Sequence, residues 1–425
     1  MKIYNRYFLL LAGALLAVCT AGCGYRAETE SGTTPYAAAT SMENTPIVDY
    51  AIPQMSANIL VDLRGYSSTE RKEASVKGRE LPEEFRLINA ATGETVYEGL
   101  LTGVSYNDEM KLYLGNADFS SFTQEGTYYL ECSIVGQSYR FEIREQYYQE
   151  LFEENCKLMI QECNAGTLSV TDAIDLLEAF EWYGTVFADE DGNQEPDVLT
   201  ALKTWVSHKE ATGVEDEETA LYAAFLAKFS YNYQDYDRQY ATDCLKRAST
   251  VYGQVQNSIS KDADNFFALT ELYRATGLWT YRNKIVDYKS FFANNSSYLE
   301  EMGYLYGIMT YMATRQKVDV EMCDVFMGGL MNRAEEISLR YSDMINPMTA
   351  RNNGSTELLK CAVVVSCANY IMNIYQYTNI VEEFLHYLMG ENLESVSFYE
   401  QDADRSEYLL LLAQLAASVS DSAQE

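Results

Sequence analysis

From about Ile47 to Arg144 the chain reads as short strands and turns. Ile59-Leu60-Val61-Asp62-Leu63 is a brief apolar run ended by Arg64-Gly65-Tyr66. Glu84-Phe85-Arg86-Leu87-Ile88 alternates polar and apolar, then meets the turn Asn89-Ala90-Ala91-Thr92-Gly93, and Thr95-Val96-Tyr97 follows. Gly126-Thr127-Tyr128-Tyr129-Leu130-Glu131-Cys132 and Ser138-Tyr139-Arg140-Phe141-Glu142-Ile143 alternate on either side of Gly136. A period of two with regular turns predicts a β-sandwich of about 100 residues.

From Gln146 onward the period lengthens to that of a helix. Leu176, Leu177, Phe180, Tyr183 and Phe187 recur at helical spacing. The stretches Ala220 to Phe229, Phe266 to Tyr273, Tyr304 to Tyr311 and Leu358 to Tyr370 do the same, separated by turns at Gly213, Gly277 and Asn294-Asn295. About eleven or twelve helices are predicted, with no repeat of fixed length. Such a region is a bundle, a solenoid or an α/α toroid.

The N-terminus has a different character. Lys2 and Arg6 precede an apolar run from Tyr7 to Val18 that is too short to span a bilayer. Thr20-Ala21-Gly22-Cys23 follows and is similar to a bacterial lipoprotein processing site, with Cys23 as the lipidated thiol. The chain therefore divides into a signal peptide (1–22), a tether rich in Thr, Ser, Glu and Ala (23–50), a sandwich (51–145) and a helical domain (146–425). This organisation predicts an exported protein anchored in the membrane by lipid.

Composition narrows the chemistry. The 63 acidic residues against 31 basic ones give a net charge of -32. Nucleic acid is excluded as a general partner, because phosphate contacts need a basic surface. The two histidines, His208 and His386, leave little room for imidazole chemistry. Beyond Cys23 there are Cys132, Cys156, Cys163, Cys244, Cys323, Cys361 and Cys367, without any CxxC pair. They read as buried thiols rather than a zinc site, and an exported protein allows a disulfide that their spacing does not imply. Neither metal nor cofactor is called for. Asp189, Glu190, Asp191 and Asn193 form an acidic loop whose simplest reading is solvation, with calcium the alternative.

Several motifs resemble glycoside hydrolase family 9, the cellulase-type enzymes that carry an N-terminal Ig-like domain. Ala117-Asp118-Phe119-Ser120-Ser121-Phe122-Thr123-Gln124-Glu125-Gly126-Thr127-Tyr128-Tyr129-Leu130 is similar to the family's DFS-x-[FL]-x-x-x-G-x-Y step. Leu63-Arg64-Gly65-Tyr66 and Phe85-Arg86-Leu87-Ile88 with Thr92-Gly93 resemble two earlier steps of the same domain. In the helical region Asn193-Gln194-Glu195-Pro196-Asp197-Val198-Leu199 resembles a P-D-x-L-x-E helix start. Glu271-Leu272-Tyr273-Arg274-Ala275-Thr276-Gly277 resembles L-Y-x-A-T-G, and Tyr387-Leu388-Met389-Gly390-Glu391-Asn392 resembles Y-L-L-G-x-N. The resemblance implies an Ig-like β-sandwich followed by an all-α (α/α)6 toroid, and an activity on β-1,4-glucans with inversion.

Inversion needs two carboxyl groups about 6.5–9.5 Å apart, one acting as acid and one activating water. The family's base comes from a G-G-W-x-D-A-G-D loop. The matching interval, Cys163 to Leu176, is shorter and lacks the Gly-Gly-Trp turn, which leaves Asp172 and Asp175 as candidates. The family's sugar-gripping His/Arg cluster has no counterpart after Asn392 except Arg405. For the acid, Asp402 and Glu407 are the nearby carboxylates. Aromatic rings that could stack on sugar are Trp182, Tyr183, Trp205, Tyr231, Tyr233, Tyr236 and Trp279, with helix packing as their simpler role. The joint loss of these segments predicts a scaffold that binds glycan or a protein partner without turnover. The alternatives are a hydrolase with relocated carboxylates and a structural or assembly lipoprotein.

Overall fold

The computed structural model describes residues 57–422, except 185–186, 190–191, 193, 296, 343–354, 373–375 and 402–404. The signal, the tether, Cys23, Asp402 and most of the acidic loop thus lie outside the described residues.

Among the described residues the first domain is a sandwich of nine strands: β1 (Ile59–Leu60), β2 (Tyr66–Ser67), β3 (Glu73–Gly78), β4 (Glu84–Asn89), β5 (Thr95–Asn107), β6 (Leu112–Asp118), β7 (Gly126–Cys132), β8 (Gly136–Gln137) and β9 (Phe141–Arg144). Their order is β1-β3-β6-β5-β4-β7-β9-β2, with β8 on β7. The long β5 serves both layers, pairing with β4 at one end and with β6 at the other. A register shift between Thr102 and Ser105, around Gly103 at φ +60°, lets one strand turn from layer to layer. Alternate residues fill the space between the layers, among them Val76, Phe85, Leu87, Phe119, Leu130 and Phe141.

The sequence motifs of this domain are turn chemistry. Asn89 accepts the backbone N–H groups of Ala91 and Thr92 through its side chain, and Gly93 closes the turn at φ +73°. Asp118 holds both the N–H and the hydroxyl of Ser120, at 2.9 and 2.6 Å, which turns Phe119 into the core. Ser120 Oγ in turn accepts the Lys72 N–H.

Fourteen α-helices follow among the described residues: α1 (Tyr147–Ala165), α2 (Val170–Tyr183), α3 (Asp197–Thr212), α4 (Thr219–Tyr233), α5 (Arg238–Val255), α6 (Asp262–Thr276), α7 (Trp279–Asp287), α8 (Lys289–Asn294), α9 (Met302–Ala313), α10 (Val320–Ser342), α11 (Ser355–Met372), α12 (Thr378–Met389), α13 (Phe398–Gln401) and α14 (Ser406–Ser422). The excess over the expected number comes from the short α7, α8 and α13. Helices α2, α4, α6, α9, α11 and α14 form an inner ring, in which each packs on the next and α14 returns to α2. The other long helices lie outside it, α5 on α4, α10 and α12 on α11, and α1 between α14 and α3. This closure selects the toroid over the solenoid.

Inner helices are apolar nearly all round, as α11 shows, where every position from Leu358 to Ile371 is buried apart from Lys360. Outer helices are amphipathic, as in α5, where Ala241, Cys244, Ala248 and Tyr252 face inward. All seven described cysteines are buried thiols, and none of them is joined in a disulfide.

The two domains meet in a buried polar seam. His386 of α12 places Nδ1 2.8 Å from Asp62 and Nε2 3.6 Å from Glu70. Tyr147 donates to Asp62, and Tyr148 donates to Glu70. Asp62 also accepts the N–H groups of Arg64 and Gly65. Gly65 is required here, because a Cβ would lie 2.2 Å from the Glu142 carbonyl oxygen and φ is +122°. Arg64 reaches across to Glu154 of α1 at 2.5 Å and Glu400 of α13 at 3.1 Å. Gly390 ends α12 against Leu63, whose N–H donates to the Met389 carbonyl. The Arg64-Gly65-Tyr66 and Met389-Gly390 steps are thus two sides of one joint.

Burial alone would strip the proton from His386, but the carboxylates of Glu70 and Asp62 outweigh it and hold the imidazole protonated well above its ordinary value. Glu382, beside the same seam, is pushed up to about 8 by burial and by Glu70, and Glu391 is raised by burial as well. All three groups have raised values in the folded state. Their stabilisation is complete below the unfolded values and fades as pH rises through the folded ones. Thermal stability is therefore expected to fall as pH rises from about 4.5, where the two carboxyl contributions begin to fade, and further above about 6.5 as that of His386 follows. Replacing His386 by Ala leaves Asp62 and Glu70 buried without their cation. A loss of about 3–5 kcal/mol is expected, with separate unfolding of the two domains in calorimetry. A single unshifted transition would contradict this role.

Candidate functional site

The sequence candidates converge at the N-terminal ends of α2 and α14. Ser169 caps α2, with its hydroxyl accepting the Asp172 N–H at 3.0 Å while Asp172 accepts the hydroxyl in return. Asp172 is thereby occupied as a capping partner. One turn further, Asp175 points to the ring axis and is 3% exposed. One oxygen accepts the Tyr306 hydroxyl at 2.7 Å, and the other accepts the Ser406 hydroxyl at 2.9 Å. Burial, with the charge of Glu407 beside it, pushes the Asp175 carboxyl well above the usual range. Glu407 itself is half-buried in the first turn of α14. The structure thus brings Asp175 and Glu407 together and leaves Asp172 at the helix cap.

Further along the axis lies a cluster of charge. Lys228 of α4 contacts Glu178 at 2.9 Å, Glu181 at 2.6 Å and Glu271 at 3.4 Å. Arg274 pairs with both Glu181 and Glu271, and Thr310 donates to Glu271 at 2.7 Å. Lys228, Glu178, Glu271 and Arg274 are all almost inaccessible. Three carboxylates face two cations, so one proton balances the set. Glu178 takes it: burial and the neighbouring carboxylates outweigh Lys228 and push it up to about 8. Burial opposes charge on Glu181 as well, but Arg274 and Lys228 overcome it and hold that carboxyl far below its usual range. With Glu178 protonated near neutral pH the cluster carries no net charge.

The aromatic candidates fall into two groups. Trp182 stacks on Tyr370 at 4.8 Å with 9° between planes, and Tyr306 meets its edge. Tyr183 packs against Tyr370. Trp205 donates its indole N–H to the Leu168 carbonyl and lies against Phe225. Tyr233 bridges Lys203 and Glu195. Trp182, Tyr183, Trp205 and Tyr233 are all 0–1% exposed, so none can offer a ring face to a sugar, and their place is the core. Tyr231 is half-buried under the Arg274 guanidinium, 4.3 Å from its ring. Tyr236 and Trp279 remain on the surface, 42% and 69% exposed. Asp189 accepts the Gln194 N–H in the acidic loop. Among the described residues no group of three His, Cys, Asp or Glu is placed to hold a metal ion.

Sequence reasoning passed over the axial ion cluster. Its signal was present: Lys228 is the one charge within the apolar run from Ala220 to Phe229, and Glu178/Glu181 and Glu271/Arg274 share helical spacing. A lone cation in an apolar inner helix requires buried partners.

A general base must be ionised and within reach of water. Burial works against an ionised Asp175, and both its oxygens accept hydroxyls, while Trp182, stacked on Tyr370, packs on the Tyr306 ring.

Comparison with known proteins agrees with the two-domain architecture. Residues 54–137 match the cellulase N-terminal ig-like domain, and residues 181–401 match glycosyl hydrolase family 9. Solved structures with the same fold include a metagenome-derived glycoside hydrolase family 9 endoglucanase (TM-score 0.61, 18% identity, covering 80% of this chain and 84% of that one). A Bacteroides ovatus GH9 protein superposes with TM-score 0.63 at 14% identity, over 86% of this chain and 99% of its own. The GH family 9 endoglucanase J30 gives TM-score 0.57 at 17% identity, over 78% and 83%. No curated protein matches the chain.

Two outcomes test the axial cluster. Glu178→Gln keeps an acceptor for Lys228 but cannot ionise. A raised carboxyl stabilises below its ordinary value of 4.5 and loses that contribution as pH climbs to about 8. The variant is therefore expected to gain stability relative to the parent progressively across that window, read by thermal unfolding at several pH values. Lys228→Met strands the carboxylates and is expected to cost about 3–5 kcal/mol. A neutral result would show that the cluster is not buried as a unit.

Proposed function

Because the chain belongs to glycosyl hydrolase family 9, we propose that it uses the family scaffold to hold a polysaccharide, of β-glucan type, without cleaving it. The observation that carries this reading is the state of Asp175, buried and bound by Tyr306 and Ser406, with Trp182 stacked on Tyr370 nearby in the ring. The extent of the family match supports it. The match begins at residue 181, after Asp172 and Asp175, and ends at residue 401, before Asp402 and Glu407. The candidate carboxylates considered above thus all lie outside the matched range. General acid–base assistance is worth roughly 10²–10⁴-fold for each group, so loss of both leaves a binder.

Export and lipidation at Cys23 complete the proposal, with the protein held at the bacterial cell surface. The tether then presents both domains outward, and the acidic surface suits a neutral glycan better than an anionic one.

A second reading has one observation in its favour. Asp175, in the second turn of α2, feels the charge of Glu407 in the first turn of α14, so two carboxyl groups share this end of the ring. It requires Tyr306 or Ser406 to release Asp175.

The mature chain, incubated for a day with soluble and insoluble β-glucans, xylan and mannan, is expected to be retained on insoluble glucan and to release no reducing ends. Release that tracks the protein, and that disappears in Asp175→Asn and Glu407→Gln while both still fold, would establish the hydrolase instead. Cys23→Ser is expected to move the protein from the membrane fraction to the soluble one. Unchanged fractionation would remove the lipid anchor.

A further inference from the structure

Away from the ring axis a cleft of about 810 Å3 opens between α10 and α11, beside the turn at Leu299 and Glu300. Its floor is apolar. Leu299, Ile337 and Val364 present buried side chains, 2%, 1% and 3% exposed. Its walls are charged but balanced, with Arg333, Arg340 and Lys360 facing Glu300, Glu336 and Glu357. In a chain of net charge -32 this is an uncommon local neutrality.

The charges are paired loosely. Arg333 meets Glu336 at 3.0 Å and Glu300 at 3.6 Å, and Arg340 meets Glu357 at 3.6 Å. The Arg333 side chain is 19% exposed, whereas Glu300 and Glu336 are 61% and 64% exposed. The guanidinium therefore sits deeper than the carboxylates that pair with it. Exposed pairs of this kind contribute about 0–1 kcal/mol each. A ligand that offers equivalent partners can replace them at little cost.

A balanced lining does not draw a charged ligand. It suits a neutral one rich in hydroxyls, which accept from guanidinium and ammonium groups and donate to carboxylates. The planar guanidinium fork bonds two neighbouring oxygens at once, as on the adjacent hydroxyls of a sugar ring. A volume within about 300–1,000 Å3 is that of an ordinary small-ligand site.

We propose that the cleft between α10 and α11 is a binding site for a neutral oligosaccharide, separate from the ring axis. The inference rests on the polysaccharide-holding reading above and gives that reading a location. None of the cleft residues belongs to the axial set, so variants here leave Asp175 and Glu407 as they are.

The test uses the full mature chain and cellohexaose, xylohexaose and mannohexaose as probes, followed by calorimetry and by hydrogen exchange. The expected result is binding of at least one hexamer, with exchange slowed in residues 333–340 and 356–364. Arg333→Gln and the more exposed Arg340→Gln are each expected to weaken it about tenfold, the loss of one hydrogen bond from a charged donor. Tyr106→Ala, remote on β5 of the sandwich, is expected to leave it unchanged. If hexamers bind with equal affinity to wild type and both arginine variants, the cleft is overturned while the polysaccharide reading survives. Retention on polymer without hexamer binding likewise overturns the cleft alone. Tighter binding of oligogalacturonate than of any neutral hexamer overturns the ligand class. Failure to hold any polymer or hexamer overturns the inference together with the reading on which it rests.

Discussion

Lys228 is buried with no access to water, and that single ammonium constrains the whole helical domain. An unpaired buried charge is too costly to keep, so the helices around it must bring carboxylates to it. Helix α2 brings Glu178 and Glu181, and α6 brings Glu271. A third carboxylate would leave the site overcharged without Arg274 and a proton on Glu178. Three inner helices are thereby fixed in register before apolar packing is counted.

The joint between domains follows the same logic with different residues. His386, Asp62 and Glu70 share a buried site that neither domain completes alone. Tyrosine recurs as the neutral donor that makes buried carboxylates tolerable: Tyr306 to Asp175, Tyr147 to Asp62 and Tyr148 to Glu70. A chain with 35 tyrosines and 63 acidic residues has the means to do this repeatedly. The hydroxyl satisfies a lone pair while the ring packs, so the acid is buried with a partner rather than expelled.

In the reading proposed above, glycan is held at the rim of the helical ring rather than on its axis. Surface clefts between an outer and an inner helix need no catalytic carboxylates, only balanced donors and acceptors over an apolar floor. On that reading binding and turnover are separable properties of one fold, since a cleft between helix pairs can bind without the carboxylates that hydrolysis needs.

The two-domain plan was legible in local pattern alone. Alternation in residues 84–88 and 126–143 and the helical period after Gln146 depend only on which face each residue turns inward. Turn chemistry was equally legible at Asn89, Asp118 and Ser169, since each side chain bonds to backbone only a few residues away. What period could not decide was the number of short helices, the closure of the ring and the fate of the aromatics. Trp182 and Trp279 look alike in sequence, yet one is 1% and the other 69% exposed. Asp172 and Asp175 sit three residues apart, yet one caps a helix and the other meets Ser406, 231 positions away. Those outcomes depend on contacts between residues far apart in the chain, and packing of the whole molecule is what assigns them.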